Sequence, residues 1–243
     1  MEDYDASTYG DHIAEVYDAW YSALEIRAVV DCIAGLAGRG PVLELGIGTG
    51  RIALPLQERG VEVHGIDASE KMVAKLREKP GGDGIPVTIG DFADVGVDGT
   101  YTAIYIPFHT MFALLTQEAQ LRCFRNVAAH LTEDGVFVFD AFVPDLTRFD
   151  RNQRVGIVSH DPDALRIEAS VHDPVSQTVT TRHVVLTEQG TRFYPVKVRY
   201  AWPSELNLMA RLAGLRLRDR WGDWKGGPFT AESTVHVSVY EPA

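Results

Sequence analysis

Three glycines at alternating positions, Gly46, Gly48 and Gly50, follow directly on the apolar run Val42-Leu43-Glu44-Leu45. Glycine lets a chain turn tightly and lets a ligand approach the backbone closely. A helix opening beyond Gly50 would offer unpaired N–H groups at its start. Where the next apolar run ends, Asp67 supplies a carboxylate that can accept hydrogen bonds from both hydroxyls of a ribose. This chemistry belongs to a nucleoside pocket, and two kinds of cofactor compete for it. Gly48-Thr49-Gly50-Arg51-Ile52-Ala53 can be read as a dinucleotide fingerprint. Glu44, two positions before the first glycine, argues against that reading. A carboxylate inside an apolar strand costs several kcal/mol unless something satisfies it. A pyrophosphate would repel it, whereas an ammonium or sulfonium ligand would suit it.

A second candidate group is His109, which follows the run Tyr101–Ile106 at the edge where such folds bind ligands. Histidine titrates near neutrality, which suits a general base. It could equally bond the backbone or a cofactor carboxylate. His12, His160, His172, His183 and His236 have nothing local that points them at that edge. Aromatic residues crowd the start of the chain (Tyr4, Tyr9, Tyr17, Trp20, Tyr21). They could pack as one stripe of a helix, or attract a sulfonium by cation–π contact. The reading preferred is a lid helix, with Tyr9 or Tyr17 touching the cofactor. A second aromatic set, Trp221, Trp224 and Phe229, sits in a glycine-rich loop that suits binding as well as anchoring.

The elements that must hold these residues alternate along the first part of the chain. Strand-like runs are Pro41–Leu45, Val61–Ile66, Val87–Ile89, Tyr101–Ile106 and Val136–Phe139, and helical stretches lie at 51–59, 69–78 and 117–131. Such alternation predicts a parallel, helix-covered sheet with right-handed crossovers. After Pro144 the pattern changes. Leu165–Val171, Val179–Leu186 and Val196–Tyr200 read as strands separated by turn chemistry at 172–174 and 188–190. Leu165, Ile167, Ala169 and Val171 alternate with polar residues, so one face of this insertion of three or four strands is solvated. A helix returns at Pro203–Ala213, with strands at 215–221 and 234–240.

Composition narrows the class. The 243 residues carry 23 Lys+Arg against 34 Asp+Glu, a formal charge of −11. The first 25 residues hold seven of those acids (Glu2, Asp3, Asp5, Asp11, Glu15, Asp18, Glu25) and no base. A nucleic-acid binder would show a basic stripe, so no nucleic-acid partner is expected. The acidic segment serves solubility, or forms a mouth that favours a cationic ligand. No apolar run approaches the roughly 18 residues of a membrane span, and the N-terminus lacks the pattern of a signal peptide. Cys32 and Cys123 match neither a disulfide framework nor a metal spacing, so no metal is expected and a reducing cytoplasm fits.

At this point a resemblance emerges. Leu43-Glu44-Leu45-Gly46-Ile47-Gly48-Thr49-Gly50 resembles the first motif of class I S-adenosylmethionine-dependent methyltransferases. His64-Gly65-Ile66-Asp67-Ala68-Ser69 resembles their second motif, with Met72 where that family commonly has one, and Gly90-Asp91-Phe92 resembles the third. The similarity spans about 38–143, and Tyr17-Asp18 recurs in many small-molecule members. It implies a Rossmann-like seven-stranded α/β sheet with helices on both faces, closed by an antiparallel seventh strand. It also implies S-adenosylmethionine as cofactor. Gly46, Gly48 and Gly50 would surround its methionyl part and ribose, and Asp67 would bind the ribose hydroxyls. Asp91 would accept from the adenine amine beside Phe92. The stretch that includes Pro107 and His109 would face the sulfonium.

The insertion resembles the substrate cover of aminosugar N-methyltransferases and related natural-product enzymes. It is slightly basic, with eight Arg/Lys against six Asp/Glu between 148 and 202, so an anionic acceptor is allowed. The division that follows is an N-terminal helical lid (1–35), a cofactor-binding core (36–148 and 203–243) and an antiparallel cover over the acceptor (149–202). The expected activity is methyl transfer from S-adenosylmethionine to a nitrogen or oxygen of a small molecule. Two rivals stand beside it. One is a non-catalytic module that binds the cofactor or a metabolite. The other is a nicotinamide oxidoreductase, which would need a Tyr-x-x-x-Lys pair after the nucleotide half that the sequence lacks. A homodimer joined through the insertion is compatible with all of these.

Overall fold

The computed structural model describes residues 4–23, 25–94 and 96–243; Glu2 and Asp3, counted above among the acids, lie outside the described residues. Three helices, α1 (Thr8–Ile13), α2 (Tyr17–Tyr21) and α3 (Arg27–Ala37), precede the first strand. The alternating part follows as β1 (Val42–Leu45), α4 (Ala53–Glu58), β2 (Val63–Asp67), α5 (Glu70–Arg77), β3 (Val87–Ile89), β4 (Tyr101–Ile106), α6 (Gln117–His130) and β5 (Leu131–Phe142). Then come β6 (Gln153–Asp161), β7 (Ala164–Asp173), β8 (Thr178–Thr187) and β9 (Gly190–Arg199). The chain closes with α7 (Pro203–Leu212), β10 (Leu215–Trp221) and β11 (Val235–Pro242).

Seven strands form one sheet in the order β10-β11-β5-β4-β1-β2-β3. The pairs among β1 to β5 are parallel, and β11 runs antiparallel to both β5 and β10. This is the Rossmann-like seven-stranded sheet expected from the motifs. All four residues of β1 are buried because helices cover both of its faces. Aromatic residues Phe124, Phe137, Phe139 and Tyr240 fill the layer under α6 and α7. Ile33, Ile52, Leu56 and Tyr105 fill the layer under α3 and α4. Local chemistry sets the helix starts: Ser69 accepts from the Met72 N–H ahead of α5, Thr116 accepts from the Ala119 N–H ahead of α6, and Pro203 opens α7.

Two features depart from the sequence reading. The N-terminal aromatics do not share one lid helix but divide between two short ones. α1 lies flat on α5, where a Cβ on Gly10 would come within 2.5 Å of Ser69. α2 instead points Trp20 towards the insertion, where its ring meets Tyr194 at 4.7 Å and the Arg166 guanidinium at 4.4 Å. Two anchors in different directions need a break between them.

The insertion forms its own antiparallel sheet, β6-β7-β8-β9. Its cross-strand register places Arg166, Glu168, Ser170, His183 and Tyr194 on one face, and Ile157, Ile167, Val184 and Phe193 on the other. The inward face sets those polar residues against Trp20 and adds Val179 and Val198, while the outward face leaves Val155, Ile157, Val171 and Phe193 exposed beside Gln153, Thr180, Arg182 and Lys197. The run Leu165, Ile167, Ala169 and Val171 therefore lies on the outward face.

Candidate active site

The carboxyl ends of β1, β2 and β4 meet at a cleft roofed by α1 and α2. On its floor the backbone of 46–50 turns with φ of +78° at Gly46, +55° at Gly48 and +77° at Gly50. A side chain at any of the three would be strained. It would also lack room: a Cβ at Gly46 would come within 2.9 Å of Thr110 Cγ2, and one at Gly48 within 3.1 Å of Met72 Cε. Asp67, at the end of β2, fixes this turn. Its Oδ2 accepts from the Gly48 N–H at 2.7 Å and its Oδ1 from the Ser69 N–H at 2.8 Å. Each oxygen keeps lone-pair capacity for a further donor. Burial raises its pKa against the lowering effect of those two N–H groups.

Gly46, Gly48, Asp67, Ala68, Met72 and Phe92 border one cavity of about 100 Å³, closed from above by Tyr9 and Tyr17. Ligand pockets usually span about 300–1,000 Å³, so in this structure α1 and α2 narrow the cleft. Hydrogen bonds and ion pairs hold these helices to the core. Ser69 Oγ donates to Asp11 at 2.6 Å and Thr49 Oγ1 to Asp18 at 2.7 Å, while Lys79 reaches Asp18 at 2.7 Å and Lys75 reaches Glu15 at 3.2 Å. Asp11, Glu15 and Asp18 of the acidic start therefore clamp the glycine loop and α5.

A smaller cavity adjoins the first, bordered by Glu44, Gly46, Arg51, Pro107, Phe108 and Thr110. Glu44 is 2% exposed, and burial pushes its pKa up to about 8 although Tyr105 donates to Oε2 at 2.8 Å. The protein itself supplies part of what the sequence argument left to a ligand, namely the Tyr105 hydroxyl and the charge of Arg51. That guanidinium donates to the Tyr21 carbonyl and lies 4.7 Å from the Phe108 ring and 5.7 Å from the Tyr17 ring. Burial also pushes the Tyr17 phenol up to about 12. The chemistry of these groups fits S-adenosylmethionine. A carboxylate suits the ribose hydroxyls, a guanidinium suits an α-carboxylate, and aromatic faces with a buried carboxylate suit a sulfonium.

β4 ends in a turn where two non-glycine residues in succession, Phe108 and His109, have positive φ of 61° and 63°. Such residues cost about 1–3 kcal/mol each and persist only where neighbours over-determine them. The neighbour here is Asp140 on β5, a buried carboxylate. Its Oδ1 accepts from the Phe108 N–H at 2.7 Å, and its Oδ2 lies 2.7 Å from His109 Nδ1. The second contact is close but poorly aligned as a hydrogen bond, a state common at sites that tighten when substrate enters. His109 packs edge-on against Phe142 at 5.8 Å. Phe142 in turn lines a cavity of about 460 Å³ with Leu146, Phe149, Val179, Val198 and Tyr200, between β5 and the inward face of the second sheet. His109 itself lines neither this chamber nor the smaller cavity: its neighbours Phe108 and Thr110 border the smaller one, and its ring meets Phe142 at the edge of the chamber, whose lining also includes Asp145, Arg148, Thr181 and Thr234.

The residues singled out from sequence do not all converge. Tyr17, Gly46, Gly48, Asp67, Ala68, Met72 and Phe92 border the first cavity, and Glu44 and Pro107 the adjoining one. Gly50 lies outside both; a Cβ there would strike Leu76 at 2.3 Å, so it serves loop–helix packing. Asp91 is not on the cavity wall, and its Oδ1 accepts from the Ala93 N–H. His236 is a wholly buried residue of β11 paired with Ser238, and burial holds its pKa near 3, so it stays neutral. Sequence reasoning missed Arg51 and Asp140. Arg51 could have been suspected as the cation directly after the third glycine; Asp140 had the signal of an acid ending the apolar run Val136–Phe139.

Comparison with known proteins agrees with this geometry. Residues 42–135 match the family model described as a methyltransferase domain. The solved structure of the CcbJ methyltransferase from Streptomyces caelestis is 42% identical, with a TM-score of 0.93, over 99% of this chain and 100% of that one. The cypemycin N-terminal methyltransferase of a Streptomyces species is 28% identical over 98% of both chains. A dTDP-4-amino-2,3,4,6-tetradeoxy-D-glucose N,N-dimethyltransferase of Saccharopolyspora spinosa is 27% identical over 77% of this chain and 78% of its own. These likenesses favour neither the nicotinamide oxidoreductase nor the non-catalytic module.

Proposed function

This chain belongs to the S-adenosylmethionine-dependent methyltransferases, and from that premise we propose that its acceptor is an amine nitrogen on a small molecule with an apolar body. The observation that carries this reading is His109 on a strained turn anchored by Asp140, next to Phe108 of the cofactor side and edge-on to Phe142 of the chamber. One relative is named as an N,N-dimethyltransferase and another as an N-terminal methyltransferase, which supports the choice of nitrogen over oxygen.

Asp67 holds the ribose hydroxyls, Gly46 and Gly48 let the backbone close on the nucleoside, and Phe92, Ala68 and Met72 wall the adenine side. Asp91, which caps the Ala93 N–H off the cavity wall, would meet the adenine amine only if its side chain turned towards the cleft, and Gly50 lets the loop pack against Leu76 of α5 and Leu54 of α4. Arg51 takes the carboxylate of the methionyl part, with Tyr17, Pro107 and Glu44 around the sulfur. Bound S-adenosylmethionine supplies a methyl group on a sulfonium, which the acceptor nitrogen takes in line. His109 directs Nδ1–H to Asp140 and so presents Nε2 as the acceptor of the proton that the nitrogen gives up. The acceptor's apolar body lies in the chamber beside Phe142 and Tyr200, covered by the sheet of 149–202, while residues 1–35 close the cofactor cleft. Holding nucleophile and methyl at near-attack distance contributes on the order of 7–11 kcal/mol, more than the base. The partners we propose are this small molecule and a second copy of the chain.

The test is turnover with S-adenosylmethionine against paired panels of small apolar amines and the matching alcohols, read by mass spectrometry. Amines are expected to gain a methyl group, with His109→Ala slowing the gain by about 100-fold or more. Methylation of alcohols alone would overturn the nitrogen assignment.

A further inference from the structure

Polar groups are few on the wall of the chamber, and most of them are spoken for. Asp145, Arg148 and Thr234 are exposed, and the Thr181 hydroxyl pairs with that of Ser170 at 2.8 Å. Tyr200, the remaining polar residue of the described lining, is buried, with 3% of its surface exposed. Its hydroxyl lies 2.9 Å from Nε2 of His172, a buried residue of β7 behind the chamber wall. His172 is held on its other sides as well. The Asn152 side-chain oxygen faces Nδ1 at 3.3 Å, the Asn152 carbonyl accepts from the His172 N–H at 2.8 Å, and the Phe149 ring stacks on the imidazole at 5.1 Å. Asn152 reaches His172 from a turn in which it and Arg151 both have positive φ, 62° and 47°. Non-glycine residues persist in that region where their surroundings over-determine them. With an amide oxygen opposite it, Nδ1 carries the ring proton and Nε2 accepts. The Tyr200 hydroxyl therefore donates to His172, and its own oxygen is left as an acceptor.

We propose that Tyr200, turned by His172, selects acceptors whose apolar body carries a hydroxyl group that donates to the phenol oxygen. The inference rests on the chamber being the acceptor site, as put forward above, and adds one polar mark to that acceptor. A ketone in the same place finds no proton to accept, because the phenol has given its only one to His172. A bare hydrocarbon leaves the buried oxygen without a partner, which costs affinity. The chain Asn152–His172–Tyr200 runs in one direction, each group donating to the one named before it. Such chains polarise their members and strengthen the next bond in line. Tyr200 is thus the group that touches the acceptor, and His172 is a positioning residue that acts through it. The proton of the reacting nitrogen remains the task of His109.

The test compares kcat/KM within sets of amines that share an apolar body and carry on it a hydroxyl, a ketone or neither. The wild type is expected to prefer the hydroxylated member by about tenfold or more, and to gain nothing from the ketone. Tyr200→Phe should shrink that preference to within about twofold. His172→Phe frees the phenol proton, so the ketone should then gain at least about threefold over the unsubstituted body. His172→Gln, whose amide oxygen can accept from Tyr200, should restore the preference for the hydroxyl. Each preference is a ratio within one protein, so poor folding of a variant lowers all members alike and does not imitate these changes. Methylation of alcohols in place of amines would overturn the nitrogen assignment, and the same comparison then runs on the alcohols. If neither class turns over, calorimetry of the same sets against protein loaded with S-adenosylhomocysteine reads the preference as Kd. A wild type without the preference, or a preference that survives Tyr200→Phe, would overturn the proposal and leave the amine assignment standing. A His172→Phe variant that kept the wild-type order would overturn the role of His172.

Discussion

Replacing Asp140 by Asn separates the two tasks that this residue combines. One carboxylate oxygen bonds the Phe108 N–H at 2.7 Å and so holds a turn with two positive-φ residues; the other lies 2.7 Å from His109 Nδ1. A hydrogen bond to a charged group contributes about 1.5–3 kcal/mol, and a neutral acceptor about half of that. The variant keeps an oxygen for Phe108 and should therefore lose roughly 1 kcal/mol of stability, far less than unfolds a domain of this size. It loses the carboxylate beside His109, however, and can place an amide N–H there. Nδ1 must then accept, Nε2 carries the proton, and the ring no longer takes one from the substrate. The expected result is a fall in kcat of about 100- to 10,000-fold, with the Kd for S-adenosylhomocysteine changed by less than about threefold. His109→Gln should cost as much, and the double variant little more than either single one, because the two act as one unit. The assay is single-turnover methylation, with calorimetry for the cofactor product. If Asp140→Asn kept near-normal kcat, or if the two losses multiplied, the account of His109 as an oriented base would be wrong.

Gly48→Ala should lower cofactor affinity by about tenfold and stability by about 1–2 kcal/mol, since it strains a backbone at φ +55° and crowds Met72; calorimetry and thermal denaturation read the two effects. Glu44 has a folded-state pKa raised to about 8, above its unfolded value. It binds its proton more tightly when folded, so its contribution to stability is complete below about pH 4.5 and is lost as the pH rises through about 8. The Tm difference between wild type and Glu44→Gln should therefore change across that window; a difference independent of pH there would contradict the buried-acid reading. Asp18→Ala removes the contacts to Thr49 and Lys79 that clamp α2, and S-adenosylhomocysteine should dissociate about 10-fold faster in stopped flow. An unchanged rate would mean that the clamp does not govern release.

Much of the cofactor cleft was legible because its chemistry is local. The glycines and Asp67 lie at the ends of consecutive strands, and parallel pairing through the Glu44–Gly65 register brings those ends together. Asp140 and the strain at Phe108 and His109 were not legible, since they arise from a contact between β4 and β5 across 32 residues. The orientation of the second sheet escaped for a different reason. Period-2 alternation tells that two faces differ, but which face turns inward depends on what waits there, and Trp20 arrives from 146 residues before Arg166. Glu44 is an intermediate case. The cost of its burial could be read from the strand, but its protein partner Tyr105 lies on the neighbouring strand and only pairing reveals it.

The central claim is that the turn at 46–50 and the carboxylate of Asp67 hold an adenosine. Titration calorimetry with S-adenosylhomocysteine tests it most directly, run on the wild type, Asp67→Asn and Asp67→Ala. The account predicts stoichiometric binding to the wild type and a loss of at least about tenfold for either variant. Asp67→Ala should lose more, up to about 1,000-fold for two charge-assisted hydrogen bonds. Equal affinity in all three proteins would contradict it.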